Sequence, residues 1–305
     1  MVFPGQGSQS VGMLKGYAGL PEVEKIISEA RDILGAEFMA LLDQGPAEKL
    51  NQTVNTQPAM VTAGYAAYRA WRALGGPPPA MVAGHSLGEY TALVAAEALT
   101  FRDCLPLVRI RAQAMQEAVP EGQGAMAAIL SLEDDKVREA CAAAGGVVQA
   151  VNFNAPGQVV IAGERAAVGR AIEQCKARGA KRALPLPVSA PFHSSLMKPA
   201  GDRLQGTLQK IAIASPLIPV VNNVDVKVET RPDAIRHALV RQASSPVRWA
   251  ETVRCMIEMG ATHIVECGPG KVLSGLTKRI SAQTQSFALA DRAALEEALS
   301  CLKAN

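Results

Sequence analysis

Residues 80–99, AMVAGHSLGEYTALVAAEAL, decide the fold. The stretch opens apolar after the breaker Gly75-Gly76-Pro77-Pro78-Pro79, and Glu89 to Leu99 is rich in helix formers. The order predicted is strand, tight turn, helix. Gly84-His85-Ser86-Leu87-Gly88 fits GxSxG, whose small residues let the backbone turn sharply and leave a serine hydroxyl exposed at a helix N-terminus. An alkoxide attacking a thioester or ester leaves an oxyanion, which the positive end of that helix and the Leu87 N–H would stabilise. GxSxG by itself also occurs as a plain structural turn. The strand before it and the helix after it set this instance apart.

Further along, Thr100 reads as an N-cap with Asp103 three residues on, opening a helix in which Leu105, Val108, Ala112, Met115 and Val119 recur on one face. Pro106 predicts a kink near the start, and the helix ends before Pro120. Glu121-Gly122-Gln123-Gly124 then reads as a boundary between domains. Strands are expected at Ala125–Leu130, Val147–Asn152, Val159–Ala162 and Lys181–Leu186, with helices at Asp134–Ala144 and Glu164–Arg178. That β-α-β-β-α-β order is the ferredoxin-like split motif. Later apolar segments, Ile218–Val221 and His263–Glu266, read as buried strands separated by helices at Pro232–Gln242 and Ser245–Met259. The fold class expected is α/β, a hydrolase-like domain with a central, mostly parallel sheet. It would be made from residues 1–122 and 190–305, with a ferredoxin-like small domain inserted over 123–189.

With 305 residues, 49% apolar and 19% charged, the chain is globular and disorder is excluded. Six cysteines without a CxxC pair point to the reduced thiols of a cytosolic enzyme and away from a disulfide scaffold or zinc ribbon, so no metal site is expected. A net charge of +3 is too small for a dedicated nucleic-acid binder but suits an acidic protein partner. The start MVFPGQGSQ shows no secretory pattern. The longest uncharged run, Ala140 to Gly163, contains Gln149, Asn152, Asn154, Pro156 and Gln158, which excludes a membrane span. A soluble cytoplasmic protein is expected.

A serine nucleophile needs a base, and the chain has four histidines. His85 adjoins Ser86 on the turn and would point elsewhere. His237 falls in a polar helix, and His263 opens an apolar strand where a structural histidine is the plainer reading. His193 remains, in the loop Ser189-Ala190-Pro191-Phe192-His193-Ser194-Ser195, the kind of scaffolded loop on which catalytic groups concentrate. The N-terminal Phe3-Pro4-Gly5-Gln6-Gly7-Ser8-Gln9 is a second glycine-rich loop. It reads either as a tight or phosphate-cradling turn or as the holder of a second oxyanion donor, although Pro4 and Gln6 fit neither the Walker nor the dinucleotide pattern.

With GQGSQ, GHSLGEY and the histidine loop in that order, the sequence resembles the malonyl-CoA:acyl-carrier-protein transacylases of type II fatty acid synthesis over nearly its whole length. Matching stretches include Asn55-Thr56-Gln57-Pro58-Ala59, Arg111 with Met115 to Gly122, Asn154 with Pro156 to Gly163, Val221-Asn222-Asn223-Val224, Gln242 with Pro246-Val247-Arg248-Trp249, and Glu266 to Gly270. The resemblance implies a ping-pong acyl transfer. Ser86 is acylated by malonyl-CoA, a coenzyme A thioester that is substrate and not cofactor, and His193 acts first as base and then as acid. It implies an oxyanion hole from the Gln6 and Leu87 N–H groups and a Ser-His dyad oriented by the Gln242 backbone carbonyl. Arg111 would grip the malonyl carboxylate, although the helical wheel does not separate it from Arg109. Gln57 and Asn154 would line the pocket, with turn roles as the alternative, and Phe192 would narrow it against methylmalonyl. The acyl carrier protein is usually acidic, which suggests Lys176, Arg178, Lys181 and Arg182 as its docking residues, against the plainer reading of a solvated face; Lys278-Arg279 is a further basic pair.

Family members usually carry a few more residues before Phe3-Pro4-Gly5-Gln6, so the first strand is expected to be short, and a kink at Pro106 would shift Arg111. Three other readings compete. A serine esterase or thioesterase shares the nucleophile but normally adds a triad acid. A polyketide acyltransferase shares almost every motif, and a carrier-binding domain with a dead site would not need Ser86, His193, Gln6 and Arg111 together.

Overall fold

The computed structural model describes residues 1–188 and 190–303; Ser189, first in the histidine loop and last in the expected small domain, lies outside the described residues. The strands described are β1 (Val2–Phe3), β2 (Val82–Gly84), β3 (Gly124–Leu130), β4 (Val148–Ala155), β5 (Gln158–Glu164), β6 (Arg182–Pro185), β7 (Val220–Val221), β8 (His263–Glu266) and β9 (Gln285–Ala288). They form two sheets.

The first sheet has the order β7-β2-β1-β8-β9 with every pairing parallel. Side chains alternate across it. Phe3, Val82 and Val265 enter the large core, whereas Val2, Ala83, Val221 and Ile264 enter a second core around Trp249, Val253 and Met256. Burial on both faces explains why these strands read as short continuous apolar runs without an alternating pattern.

The second sheet is antiparallel, in the order β4-β5-β3-β6. With helices Asp134–Ala144 and Arg165–Ala177 between its strands, it is the ferredoxin-like arrangement. One face packs Ala127, Ile129 and Ile161 against Val137, Ala140, Val168 and Ala171 of those helices. The other face gathers Met126, Val151, Val160 and Ala162 with Leu186, Val188 and Phe192.

The helix expected from Ser245 begins instead at Trp249. Pro246 to Arg248 is extended because Val247 pairs with β4: its N–H donates to Val151 O at 2.8 Å and its carbonyl accepts from the Phe153 N–H at 3.0 Å. Tertiary pairing overrides helix propensity here, and the pairing ties the antiparallel sheet to the segment that leads into the Trp249 helix. The helix after the GxSxG turn closes at Ala95, short of the expected Leu99, since Glu97 takes φ 59°. Helix Phe101–Glu117 is capped by Thr100 Oγ1, which accepts from the Asp103 N–H, and it runs on through the exposed Pro106. The only helix bond removed is one to the first turn. Among the described residues no helix is long and apolar enough to cross a membrane.

Candidate active site

Close backbone approach builds the serine turn. A Cβ on Gly84 would sit 1.8 Å from the Gly88 carbonyl carbon, and one on Gly88 would sit 2.1 Å from Phe3 O. Both glycines of GxSxG are therefore steric requirements. Ser86 takes φ 51°, left-handed backbone that costs a non-glycine residue about 1–3 kcal/mol and persists only where the surroundings over-determine it. Here they do. Asn223 Oδ1 accepts the Ser86 N–H at 2.7 Å, while Asn223 Nδ2 donates to Gly84 O at 2.7 Å, clamping the turn from both sides.

His193, 4% exposed and also at positive φ (65°), brings Nε2 to 2.6 Å from Ser86 Oγ. Its Nδ1 lies 2.8 Å from the Gln242 backbone carbonyl. A carbonyl can only accept, so Nδ1 carries the proton and Nε2 presents a lone pair to the serine hydroxyl. Burial, and then the Arg111 charge, push the imidazole down to about 3, so the resting histidine is neutral. A backbone oxygen stands where an esterase would place its acid.

Arg111 is 2% exposed. Nη1 donates to Gln57 Oε1 at 2.8 Å, and Nη2 donates to Gln242 Oε1 at 2.9 Å and to Ser86 Oγ at 3.3 Å. The guanidinium carbon lies 5.3 Å from the Tyr90 ring centroid, a cation–π distance. No carboxylate of the described residues comes within ion-pair range of it, and Nε has no partner there. A buried guanidinium held by neutral amides, beside the Ser86 hydroxyl, is short of one anion. Arg109, indistinguishable from it by helical wheel, is exposed.

These groups open on a cavity of about 120 Å³. It is lined by Gln6, Gln57, Leu87, Arg111 and Met115 together with Met126, Asn152, Leu186, Val188 and Phe192. The N–H groups of Gln6 and Leu87 donate to no protein acceptor among the described residues. Thr53 Oγ1 donates to Gln6 Oε1 at 2.8 Å and receives Gln57 Nε2 at 3.2 Å, so a polar chain runs from the N-terminal loop to Arg111.

Two sequence expectations shift. Asn154 does not line the cavity: its Oδ1 is 2.8 Å from His85 Nε2 and holds that ring, which is tilted against Trp249 and itself lines the cavity. Asn152 lines the cavity in its place; a regular strand would put both asparagines on one face, but the β4 pairing shifts between Ala150 and Asn152 and again between Phe153 and Ala155. Lys176 and Arg178 do not stand free. Lys176 pairs with Glu173 at 2.8 Å and Arg178 donates to Gln174, whereas Lys181 and Arg182 are exposed with no ion pair among the described residues. His237 is exposed, and His263 Nδ1 lies 2.8 Å from Thr262 Oγ1, away from the cavity.

Sequence reading missed Glu89 and the side chains of Asn223 and Gln242. Glu89, 2% exposed, accepts the Asn223 N–H at 2.9 Å and Gln242 Nε2 at 3.0 Å, both on Oε2. Gln242 Nε2 also donates to Ser86 O at 3.0 Å. Burial raises the Glu89 carboxyl to about 7, against those two donors and Arg111. Its place in GHSLGEY, one turn past the serine, was the available signal. Among the described residues no group of three or more histidine, cysteine, aspartate or glutamate side chains could hold a metal ion.

The acyl transferase domain family model matches residues 1–293. The malonyl CoA-acyl carrier protein transacylase of Escherichia coli K12 is 58% identical over 301 residues, covering 98% of this chain and 97% of that one. The crystal structure of an acyl-carrier-protein S-malonyltransferase from Burkholderia pseudomallei superposes with a TM-score of 0.96 at 60% identity, covering 98% of both chains. A malonyl-transacylase solved in complex with a type II PKS acyl-carrier protein gives 0.96 at 53% identity, over 99% of this chain and 98% of that one. With its parallel sheet, its inserted antiparallel sheet and this extent of likeness, the chain belongs to the acyl transferase domain family, among the malonyl CoA-acyl carrier protein transacylases.

Proposed function

We propose that this chain moves a malonyl group from malonyl-CoA to the phosphopantetheine thiol of an acyl carrier protein, supplying fatty acid chain elongation, through a malonyl ester of Ser86. The carrying observation is Arg111, buried without a carboxylate partner and 3.3 Å from Ser86 Oγ. A free carboxylate on the acyl group supplies the missing anion, and a planar guanidinium takes it as a fork. Gln57 and the Gln242 side chain hold that fork in place. Phe192, which also lines the cavity, limits the room beside the malonyl methylene.

Ser86 Oγ gives its proton to His193 Nε2 as it attacks the thioester carbonyl, and the oxyanion is received by the Gln6 and Leu87 N–H groups. The C–S bond then breaks and His193 returns the proton to the departing coenzyme A sulfur. The carrier thiol repeats the steps in reverse, giving its proton to His193 and taking the acyl group from Ser86. The Gln242 carbonyl keeps the imidazole in the tautomer both halves require. A carboxylate on Arg111 also cancels the Arg111 charge, the largest influence after burial that depresses His193, so an anionic acyl group improves the base as it binds. Each step is assigned to groups of this chain, with no cofactor and with the coenzyme A thioester as substrate. A polyketide carrier would be served by the same chemistry.

The reading includes a catalytic domain of residues 1–122 and 190–305 and a small domain of 123–189, supported by the two sheets with their separate cores. Lys181 and Arg182, with Lys176 and Arg178 behind them, are assigned to docking the acidic carrier: β6 runs from Arg182 toward Leu186 and Val188 at the cavity. The buried thiols of Cys104, Cys141, Cys175 and Cys267 support a reducing, cytoplasmic setting.

Intact mass after brief incubation with malonyl-CoA tests the proposal. A malonyl adduct is expected on the native enzyme and not on Ser86→Ala, and it should leave as carrier protein gains it. Release of free malonate without need of a carrier would instead indicate a hydrolase.

A further inference from the structure

Arg111 is not wholly without an anion; it reaches one through an amide. Gln242 Oε1 accepts from Arg111 Nη2 at 2.9 Å, and Nε2 of the same side chain donates to Glu89 Oε2 at 3.0 Å. The chain guanidinium, amide, carboxylate is fully buried and leads away from the cavity. Glu89 touches neither Ser86 Oγ nor His193, so the transfer steps do not use it. Its sign and connectivity nonetheless make it the nearest compensation for the Arg111 charge.

Resting on the reading of Arg111 as the acyl carboxylate's partner, we propose that Glu89 is the counter-ion of Arg111 in the empty site and takes up a proton when the substrate carboxylate docks. Two anions would then never compete for one guanidinium in a site that water cannot screen. Glu89 is a positioning residue whose protonation sets how well the enzyme holds an anionic acyl group.

The other charges facing Glu89 are few. Its own helix contributes the Tyr90 ring beneath Arg111, and helix Phe101–Glu117 contributes Arg111 itself. The segment after β7 contributes the Asn223 N–H and two acids already engaged, Asp225 with Arg241 at 2.5 Å and Glu229 with Lys227 at 2.8 Å. Helix Pro232–Gln242 contributes the neutral Gln242 amide, and the histidine loop contributes a neutral imidazole. Arg111 cannot release its proton, which leaves Glu89 to titrate. Its affinity for a proton near neutrality places the exchange in the working range. Linkage fixes the sign: if malonyl binding drives proton uptake, raising the pH weakens malonyl binding, while a neutral acetyl group feels nothing.

The test compares kcat/KM for malonyl-CoA and acetyl-CoA from pH 6 to about 8.5, where the ratio removes effects common to both thioesters. In the native enzyme the malonyl preference should fall by about tenfold for one pK unit of coupling, mainly through KM. In Glu89→Gln it should be flat, because one glutamine oxygen can accept both donors that Oε2 now accepts. Transfer of the acyl group to Ser86 conserves protons, so an indicator dye in lightly buffered solution should report uptake near pH 7 with malonyl-CoA and none with acetyl-CoA, a measurement that needs no variant. A pH-independent ratio in the native enzyme, or an unchanged slope in Glu89→Gln, would overturn the proposal. Arg111→Ala separates the two readings: if its malonyl preference survives, the carboxylate role of Arg111 fails, whereas lost preference with no proton uptake in the native enzyme removes only the role of Glu89.

Discussion

Replacing Arg111 by alanine should separate stability from activity more sharply than any other change in this site. The variant leaves Gln57 Oε1 and Gln242 Oε1 without their donor, at about 1–3 kcal/mol for each buried acceptor. It also removes a buried cation that touches no carboxylate directly and reaches Glu89 only through the Gln242 amide, a state that costs several kcal/mol. The two contributions nearly offset, so unfolding free energy should change by less than about 2 kcal/mol, or a few degrees in Tm. Malonyl transfer has no such offset. Losing one partner of a desolvated, hydrogen-bonded charge pair costs about 2–5 kcal/mol, which is about thirty- to five-thousandfold in rate. Acetyl transfer, which presents no carboxylate, should hold or rise. The assay is the rate of acyl-enzyme formation with each thioester by rapid-quench intact mass, alongside thermal unfolding. Parallel loss of both activities would refute the reasoning, and so would a large fall in Tm, which would show Arg111 to be a structural ion.

Two further outcomes follow from the same geometry. His193 sits at about 3 in the folded chain against 6.5 for a free histidine, so its contribution to stability is complete above pH 6.5 and is lost as pH falls toward 3, at up to about 1.4 kcal/mol per pH unit. Urea unfolding should therefore shift in favour of His193→Ala, relative to the native enzyme, by about 2 kcal/mol between pH 7.5 and 5; a constant difference would mean the imidazole is not held neutral. Reversing Lys181 and Arg182 to glutamate should slow transfer to the carrier several-fold at low salt and little at high salt, with coenzyme A acylation as internal reference, and equal slowing at both salts would remove steering as the cause.

What could be read from the sequence was mostly local. The GxSxG turn announces itself because both glycines and the serine lie within five residues, and the Thr100 cap because its partner Asp103 is three residues away. The βαββαβ order was visible because each element is complete in itself, and helix Asp134–Ala144 was predicted to the residue. Signals that depend on distant segments were not visible. Arg111 differs from Arg109 only because Gln57 and Gln242, 54 and 131 residues away, turn inward to receive it. Asn223 clamps a turn 139 residues earlier. The start of the helix at Trp249 was misplaced because nothing within Ser245 to Arg248 reveals that β4 will pair with Val247. Of the site residues, the resemblance supplied Gln6, Arg111 and the Gln242 carbonyl, and neither route reached Glu89.

The cavity is lined from different parts of the chain. Gln6, Ser86, Leu87 and Arg111 come from the first 111 residues, with Gln242 behind them, whereas Met126, Asn152, Leu186, Val188 and Phe192 come from the segment between 126 and 192. Such a segment could be exchanged as one cassette while Ser86 and Arg111 keep their places, with Phe192, next to His193 in the chain, as its far limit. The seam to respect in such a graft is the pair of backbone bonds at Val247, five residues from the carbonyl that aims His193. A cassette that docks there out of register would be felt as a misdirected imidazole before it was felt as a misshapen pocket.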